Sequence, residues 1–443
     1  MRLTLGLCTL AASASVASAQ VLNGSRSTPS RTPTTSARSA ATQATDSLRL
    51  SRRQAIAEAL TRNAQLEIAR EQTAQARARR VTAISVPDPT LTAAYDQEPA
   101  PFGFGGAGSR PVGVGLTVPF PDKFRLNNRI GLADIGASES NYRLQQQTVA
   151  LQASATYDSL LVALKHRGNL REARDLAADF LKRTQARYDA GSAPRLDVIQ
   201  AQLGVAQADN DLIANERDIA NAQASLNRTL GRIIGAPVAP TDSLDMPAPL
   251  PDSASIDQTA LTNRPELSIL RSQQSGARAS TSLVKEFWLP DLTFAVTRDY
   301  VAPGSPQFTT GIALPLPAFY WQHSRGDIAQ AQHFEAELEA TYRDTRAQVT
   351  QDVRSAYANA STAMRQVAFI RDALVPAARE SYRVSSTSYS LGGSSALEVL
   401  TARAALLQAE SQLADALAAA NTARADLDRA LGLALPTLGA SNR

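Results

Sequence analysis

From Val198 to Leu226 an apolar residue returns at every seventh position, as Val198, Val205, Leu212, Ile219 and Leu226, with Ala201, Ala208, Asn215 and Ala222 three places further on. A strict seven-residue period winds helices left-handed around their neighbours, and alanine at the second seam position lets the axes approach closely. The pattern recurs 201 residues later as Val399, Leu406, Leu413, Ala420 and Leu427, with Ala402, Ala409, Ala416 and Ala423 beside it. The chain therefore reads as a duplication whose unit ends in a long packing helix. Periodicity alone fits the helices of an ordinary soluble bundle equally well.

Each unit opens with a helix, predicted over 48–80 and 256–284, in which Leu60/Leu261 and Leu66/Leu267 match at the same spacing. The period then changes to two. Leu91, Ala93 and Tyr95 alternate with Thr90, Thr92, Ala94 and Asp96, and Val112, Val114, Leu116 and Val118 with Gly113, Gly115 and Thr117. The second unit alternates likewise, with Leu292, Phe294 and Val296 and then Phe308, Thr310, Ile312 and Leu314 on one face. Such segments are strands with unlike surroundings on their two faces, and they predict hairpins over 90–118 and 291–315. The loops are Pro99–Pro111 and Pro303–Pro306, and Pro119, Pro121, Pro315 and Pro317 mark where sheet gives way to helix.

Long helices follow over 126–188 and 327–389. At ~1.5 Å per residue they reach about 90 Å, beyond the diameter of a globular domain. In the second, Tyr342, Val349, Ala356, Ala363, Ile370, Ala377 and Val384 are spaced by sevens, as are Val353, Ala360, Val367 and Leu374. Both end in a matched turn, Tyr188 to Val198 and Tyr389 to Val399, with Gly191 and Gly392 suited to the left-handed residue that closes a helix. The returning helices, 196–231 and 396–432, finish at the equivalent Leu230-Gly231 and Leu431-Gly432.

Met1–Ala19, with a basic residue, an apolar run and a small-residue end, reads as a secretory signal cleaved before Gln20. The rest divides into a Ser/Thr/Pro-rich leader (20–46), a first unit (47–232), a Pro-rich connector (233–255), a second unit (256–433) and a short tail (434–443). No other stretch approaches the ~20 apolar residues of a membrane-spanning helix. Trp288 and Trp321 bracket the second hairpin with Phe287, Tyr300, Phe319 and Tyr320, and Phe102, Phe104, Phe120 and Phe124 flank the first. Aromatics at the ends of strands suit the two interfaces of a lipid bilayer; they also cap soluble sheets.

Four strands cannot close a barrel, and an open sheet edge in lipid leaves backbone groups unpaired. Two chains would give eight strands, too narrow for a wide duct, and three would give twelve. The fold expected is thus α+β: a trimeric barrel with four strands from each chain, continued by an α-helical coiled coil.

Charge narrows the chemistry. A formal +4 over 443 residues, with basic and acidic residues interspersed, implies no nucleic-acid partner. The single cysteine, Cys8, lies in the export signal, which leaves no mature thiol. His166, His323 and His333 lack metal-site spacing, and no GxSxG or phosphate loop is present. No enzyme, cofactor or metal site is expected.

The order helix, hairpin, long helix, glycine turn, heptad helix, repeated behind a signal peptide, resembles the TolC-like outer membrane efflux family. The likeness covers about Leu48 to Leu433, and its strongest local carrier is the Tyr-x-x-Gly turn followed by Leu-Asp-Val or Leu-Glu-Val. The short tail resembles the subfamily serving heavy-metal and other resistance-nodulation-division pumps. The resemblance implies a homotrimeric exit duct in outer-membrane lipid with its helical tunnel in the periplasm, joined through a periplasmic membrane-fusion adaptor to an inner-membrane pump. It implies adaptor docking at the turns, with Asp189, Gly191, Ser192 and Pro194 in the first and Leu391, Gly392, Gly393 and Ser395 in the second. It places Asp197 and Tyr389 at positions that link neighbouring helix hairpins and Glu398 in an acidic ring. The chain departs from the family pattern at Ser394, where an arginine is usual, and at Thr401, where an aspartate is usual; Arg195 is then a candidate substitute. A type I protein-secretion channel has the same architecture. A periplasmic coiled-coil scaffold or adaptor shares the heptads but does not need two alternating hairpins.

Overall fold

The computed structural model describes residues 48–93, 111–299, 307–314 and 320–433. The export signal and leader, the tail, most of the Pro99–Pro111 loop, the Pro303–Pro306 loop, and Tyr95, Phe102, Phe104, Tyr300, Pro315, Pro317 and Phe319 lie outside these residues. In chain order come β1 (Leu48–Leu50), α1 (Arg52–Arg62), α2 (Ala64–Ala83), β2 (Thr90–Ala93), β3 (Val112–Val118), α3 (Pro121–Asp189) and α4 (Arg195–Thr229). Then follow β4 (Val238–Pro240), α5 (Ile256–Asn263), α6 (Pro265–Lys285), β5 (Leu292–Asp299), β6 (Gln307–Ala313), α7 (Tyr320–Phe369), α8 (Val375–Ser390) and α9 (Ala396–Ala430).

The opening helices differ from expectation, because each is broken. Ser51 starts α1 through a capping box with Gln54. The chain then turns extended at Asn63, whose amide donates to the Thr229 carbonyl at 2.9 Å. At the equivalent place Arg264 separates α5 from α6 and donates from Nε to the Ala430 carbonyl, also at 2.9 Å. Each break serves a carbonyl at the end of a heptad helix, where the last turn has no partner of its own. The fit is tight: Gly231 and Gly432 have φ of +68° and +71°, and a Cβ on either would meet backbone at 2.6 Å. The connector also holds structure that periodicity could not show. Its β4 pairs in parallel with β1, Leu48 beside Val238 and Leu50 beside Pro240, over three residues, too few to display a period.

The four strands form one antiparallel sheet in the order β2-β3-β5-β6. Its register aligns Leu91, Val114, Val296 and Thr310 in one row and Leu116, Phe294 and Ile312 in the next, all on one face. The opposite face carries Thr92, Gly113, Thr297 and Thr309, with the hydroxyls of Thr117 and Thr293 3.0 Å apart. The apolar face is uncovered: Leu91 is 74 % and Ile312 69 % exposed. No soluble sheet leaves such a face to water without a partner; lipid is a partner that needs no side-chain complement. Among the described residues the outer edges of β2 and β6 have no partner strand. Trp288 and Phe120 at the strand ends are exposed, and Phe124 is half-buried.

Both long helices begin earlier than predicted, α3 at Pro121 and α7 at Tyr320. Proline suits the first turn because its missing N–H would have no partner there. Below the sheet, Tyr142/Tyr342, Val149/Val349, Ala153/Val353, Tyr157/Tyr357 and Leu160/Ala360 pack at matching places in two cores. These pairs are 200 residues apart, whereas Tyr188/Tyr389 and Gly191/Gly392 are 201 apart. The extra residue is taken up between α7 and α8. There Ile370–Leu374 forms a π-turn, in which the Val375 N–H donates to the Ile370 carbonyl. Pro376, which has no N–H to give to the carbonyl four residues back, fixes its place. The buried stripe consequently steps by eight, from Val353, Ala360 and Val367 to Val375. This corrects the unbroken heptads expected here: Ile370 and Leu374 are only half-buried, and Val384 is exposed.

Candidate gate at the helix turns

At the end remote from the sheet, the turn between α3 and α4 lies against the turn between α8 and α9. The α3–α4 turn closes with Gly191 at φ +70° and the Ser192 N–H on the Arg187 carbonyl at 2.8 Å; the other closes with Gly392 at φ +85° and the Gly393 N–H on Ser388 at 2.9 Å. Both are the left-handed helix stop that the glycines predict. Pro194 and Ser395 restart the chain as caps.

Tyr389 joins the two. It is 3 % exposed and packs with Phe180 of α3, Ala201 of α4 and Ala396 and Val399 of α9. Its ring centre is 5.1 Å from that of Phe180. Its hydroxyl donates to Asp197 Oδ2 in the first turn of α4 at 3.2 Å. Burial pushes the phenol above its ordinary value of 10, the Asp197 carboxylate adds to this, and Thr184 and Arg187 act in the opposite direction. The phenol is therefore a neutral donor at physiological pH. The predicted pair, 192 positions apart, is brought together.

The remaining predicted residues divide. Glu398 accepts from the Ser395 hydroxyl at 3.1 Å while its own N–H donates back at 3.3 Å, a reciprocal helix cap that leaves the carboxylate at the surface. Ser394, half-buried, donates to the Ser385 carbonyl at 3.1 Å and so binds the turn to α8. Arg195 is exposed and makes no hydrogen bond or ion pair with the described residues. Asp189 accepts from Gln185 at 2.8 Å. Apolar side chains at this end face solvent: Leu391 (83 % exposed) in the α8–α9 turn, and Leu196 and Leu397 in the first turns of α4 and α9.

Sequence reasoning missed Arg187. Its guanidinium lies 4.5 Å from the centre of the Tyr389 ring, donates from Nη2 to the Ser192 carbonyl at 3.1 Å and from Nη1 to the Tyr389 carbonyl. A signal was available: Arg187 is seven residues beyond Phe180 and fourteen beyond Ala173, both buried, so it continues an inward-facing seam. Among the described residues no group of three or more metal-ligating side chains occurs, and no helix is long and apolar enough to cross a membrane. His166 pairs with Asp415 of α9 at 3.0 Å.

The model of the outer membrane efflux protein family matches residues 55–232 and 257–433. The chain is 23 % identical over 309 residues to the cobalt-zinc-cadmium resistance protein CzcC of Cupriavidus metallidurans, an overlap of 68 % of this chain and 73 % of that one. It is 25 % identical over 317 residues to the pyoverdine export outer membrane protein OpmQ of Pseudomonas aeruginosa, covering 69 % of this chain and 65 % of OpmQ. The fold is similar to that of the MtrE outer membrane channel of Neisseria gonorrhoeae, solved in its open state, with a TM-score of 0.67 and 20 % identity over 86 % of this chain and 89 % of MtrE. In this architecture three chains share one barrel and continue it as a helical tunnel, and a barrel closed in this way leaves no strand edge open to lipid. The chain belongs to the outer membrane efflux protein family, the exit ducts that carry the output of tripartite pumps across the outer membrane.

Proposed function

We propose that this duct, exported by the signal over 1–19, is closed at rest at its periplasmic tip by the Tyr389–Asp197 link and docks an adaptor through the α3–α4 and α8–α9 turns. It serves a pump of the resistance-nodulation-division type and has no catalytic role of its own. The observation that carries this is one bond: the hydroxyl of a buried tyrosine at the end of α8 held by a carboxylate at the start of α4. Two hairpins tied at their tips cannot part without breaking it. The exposed leucines Leu196, Leu391 and Leu397 suit a docking partner, since apolar side chains left in solvent at helix ends bury nothing in the fold of one chain. Asp189, Ser192, Pro194, Gly393 and Ser395 belong to the same surface, and three copies of Glu398 around the axis would favour cations. Cargo follows the pump rather than the duct. CzcC is named for metal resistance and OpmQ for pyoverdine export, which favours small cargo over secreted protein.

Single-channel conductance of the purified full-length trimer in planar bilayers tests the latch. Asp197→Ala combined with Tyr389→Phe is expected to raise conductance, and an unchanged value removes the pair from the gate.

A further inference from the structure

We propose that Arg187, supplied from α3, is the cation of this latch. The inference rests on reading Tyr389–Asp197 as the gate link, and it adds a second, chemically separate hold.

The two other candidates are otherwise placed. Ser394 has no charge, and its hydroxyl is engaged with the Ser385 carbonyl. Arg195 is exposed at the start of α4 and bonds to nothing described. Arg187 reaches both turns at once. Nη2 holds the Ser192 carbonyl of its own turn at 3.1 Å, Nη1 holds the Tyr389 carbonyl near the end of α8, and the guanidinium covers the Tyr389 ring at 4.5 Å. The Tyr389 carbonyl, which also accepts from the Gly392 N–H at 3.0 Å, lies at the negative end of the α8 dipole, so a cation there is favoured. The ring face adds a further attraction that only a flat cation exploits fully. A side chain on Gly392 would come within 3.9 Å of Nη2, which places the second turn against the same group.

The acceptors of Arg187 are all neutral. Its hold therefore does not depend on the Asp197 carboxylate, and Tyr389→Phe, which keeps ring and carbonyl, leaves it in place. The latch has two parts: phenol to carboxylate between α8 and α4, and guanidinium to ring and carbonyl between α3 and α8.

The test compares Arg187→Ala, Arg187→Lys and Tyr389→Phe as full-length trimers in planar bilayers, with melting of each trimer measured in detergent. Arg187→Ala is expected to raise mean conductance by roughly threefold or more. Arg187→Lys keeps the charge but not the planar fork, and is expected to restore less than half of the closure. Wild-type conductance in Arg187→Ala beside raised conductance in Tyr389→Phe overturns the inference and leaves the carboxylate link standing. Raised conductance in Arg187→Ala alone supports the guanidinium hold and removes the carboxylate link. If neither variant changes conductance, both readings fail. Full closure by Arg187→Lys also overturns the proposal, because any positive charge would then serve. Should Arg187→Ala not assemble, Arg187→Gln takes its place, and a folded Gln variant with wild-type conductance counts against the proposal.

Discussion

The two halves of the chain agree beside the sheet and diverge toward the turns. Tyr142 and Tyr342, or Val149 and Val349, occupy matching places in matching cores. At the turns Tyr188 is 39 % exposed while its counterpart Tyr389 is buried under Phe180 and Arg187. Between these regions α3 runs unbroken for 69 residues, whereas α7 and α8 are separated by a five-residue π-turn. One residue inserted into a plain α-helix rotates everything beyond it by about 100°. The π-turn absorbs the insertion, so Tyr389 still arrives facing α3 and α4. Duplication supplied the frame, and a single-residue departure from it is accommodated where the second copy acquires its gate.

The halves also solve one task with different chemistry, and there the largest effect is expected. Asn63 and Arg264 each hold the last carbonyls of a heptad helix, but Asn63 does so with a neutral amide that also caps α2 by accepting from Gln65 N–H at 2.9 Å. Arg264, buried, adds ion pairs to Glu266 at 2.8 Å and Asp352 at 3.1 Å. Arg264→Ala strands two carboxylates and a carbonyl. Because Asp352 is 43 % exposed and partly screened, the cost is expected at the low end for a buried pair, about 3 kcal/mol. Asn63→Ala loses one bond and a cap, about 1 kcal/mol. Denaturant unfolding of the two variants measures the gap; equal costs would mean that the ion pairs contribute nothing to the second seam.

Much of this was legible from residues. Val198, Leu226, Val399 and Leu427 are buried where the heptads put them, the strands alternate as Leu91, Val114 and Val296 imply, and Gly191 and Gly392 close the predicted turns. The π-turn was not legible, because a seam that slips by one residue still offers plausible sevens: Leu374 is as apolar as Val375. Asn63 and Arg264 were hidden for another reason. Their roles are set by the ends of helices 166 residues away, and neither amide nor guanidinium interrupts a helical pattern. At the gate, Asp197 and Tyr389 were reached only through resemblance, and Arg187 escaped because it stands in a helix of many arginines.

The second half can be made to resemble the first. Deleting Asp372, an exposed residue of the π-turn, carries the 200-residue spacing of the two cores on through the turns and heptad helices, but leaves Pro376 inside a continuous helix. Its ring then meets the carbonyl four residues back, and a cost of about 2 kcal/mol is expected, less than that of proline in a plain helix because the weaker π geometry is relieved. Adding Pro376→Ala to the deletion should recover most of it. Thermal unfolding of the single and double variants decides the matter: if the double variant is no better than the deletion, the π-turn is held by packing around α9 rather than by the missing N–H.

The smallest effect separates Tyr157 from Tyr357. Both rings pack in their cores, but Tyr157 also donates to the Leu50 carbonyl of β1 at 2.9 Å and lies 3.3 Å from Asp242, while the Tyr357 hydroxyl has no bond to the described residues. At pH 8, Tyr157→Phe is expected to cost about 1 kcal/mol and Tyr357→Phe close to nothing. The alkaline limb gives a second reading. Burial, opposed by the Asp242 N–H and reinforced by the Asp242 carboxylate, pushes the Tyr157 phenol up to about 12 from 10. A group held protonated by the fold contributes stability in full below its unfolded value and loses it as pH climbs toward its folded one. Wild type should therefore lose stability through this group between pH 10 and about 12, and Tyr157→Phe should not. The gap between them must narrow across that window. A gap that stays constant would place the value of this tyrosine in its ring alone, and the bond to β1, which the second half lacks, would then be without weight in distinguishing the two halves.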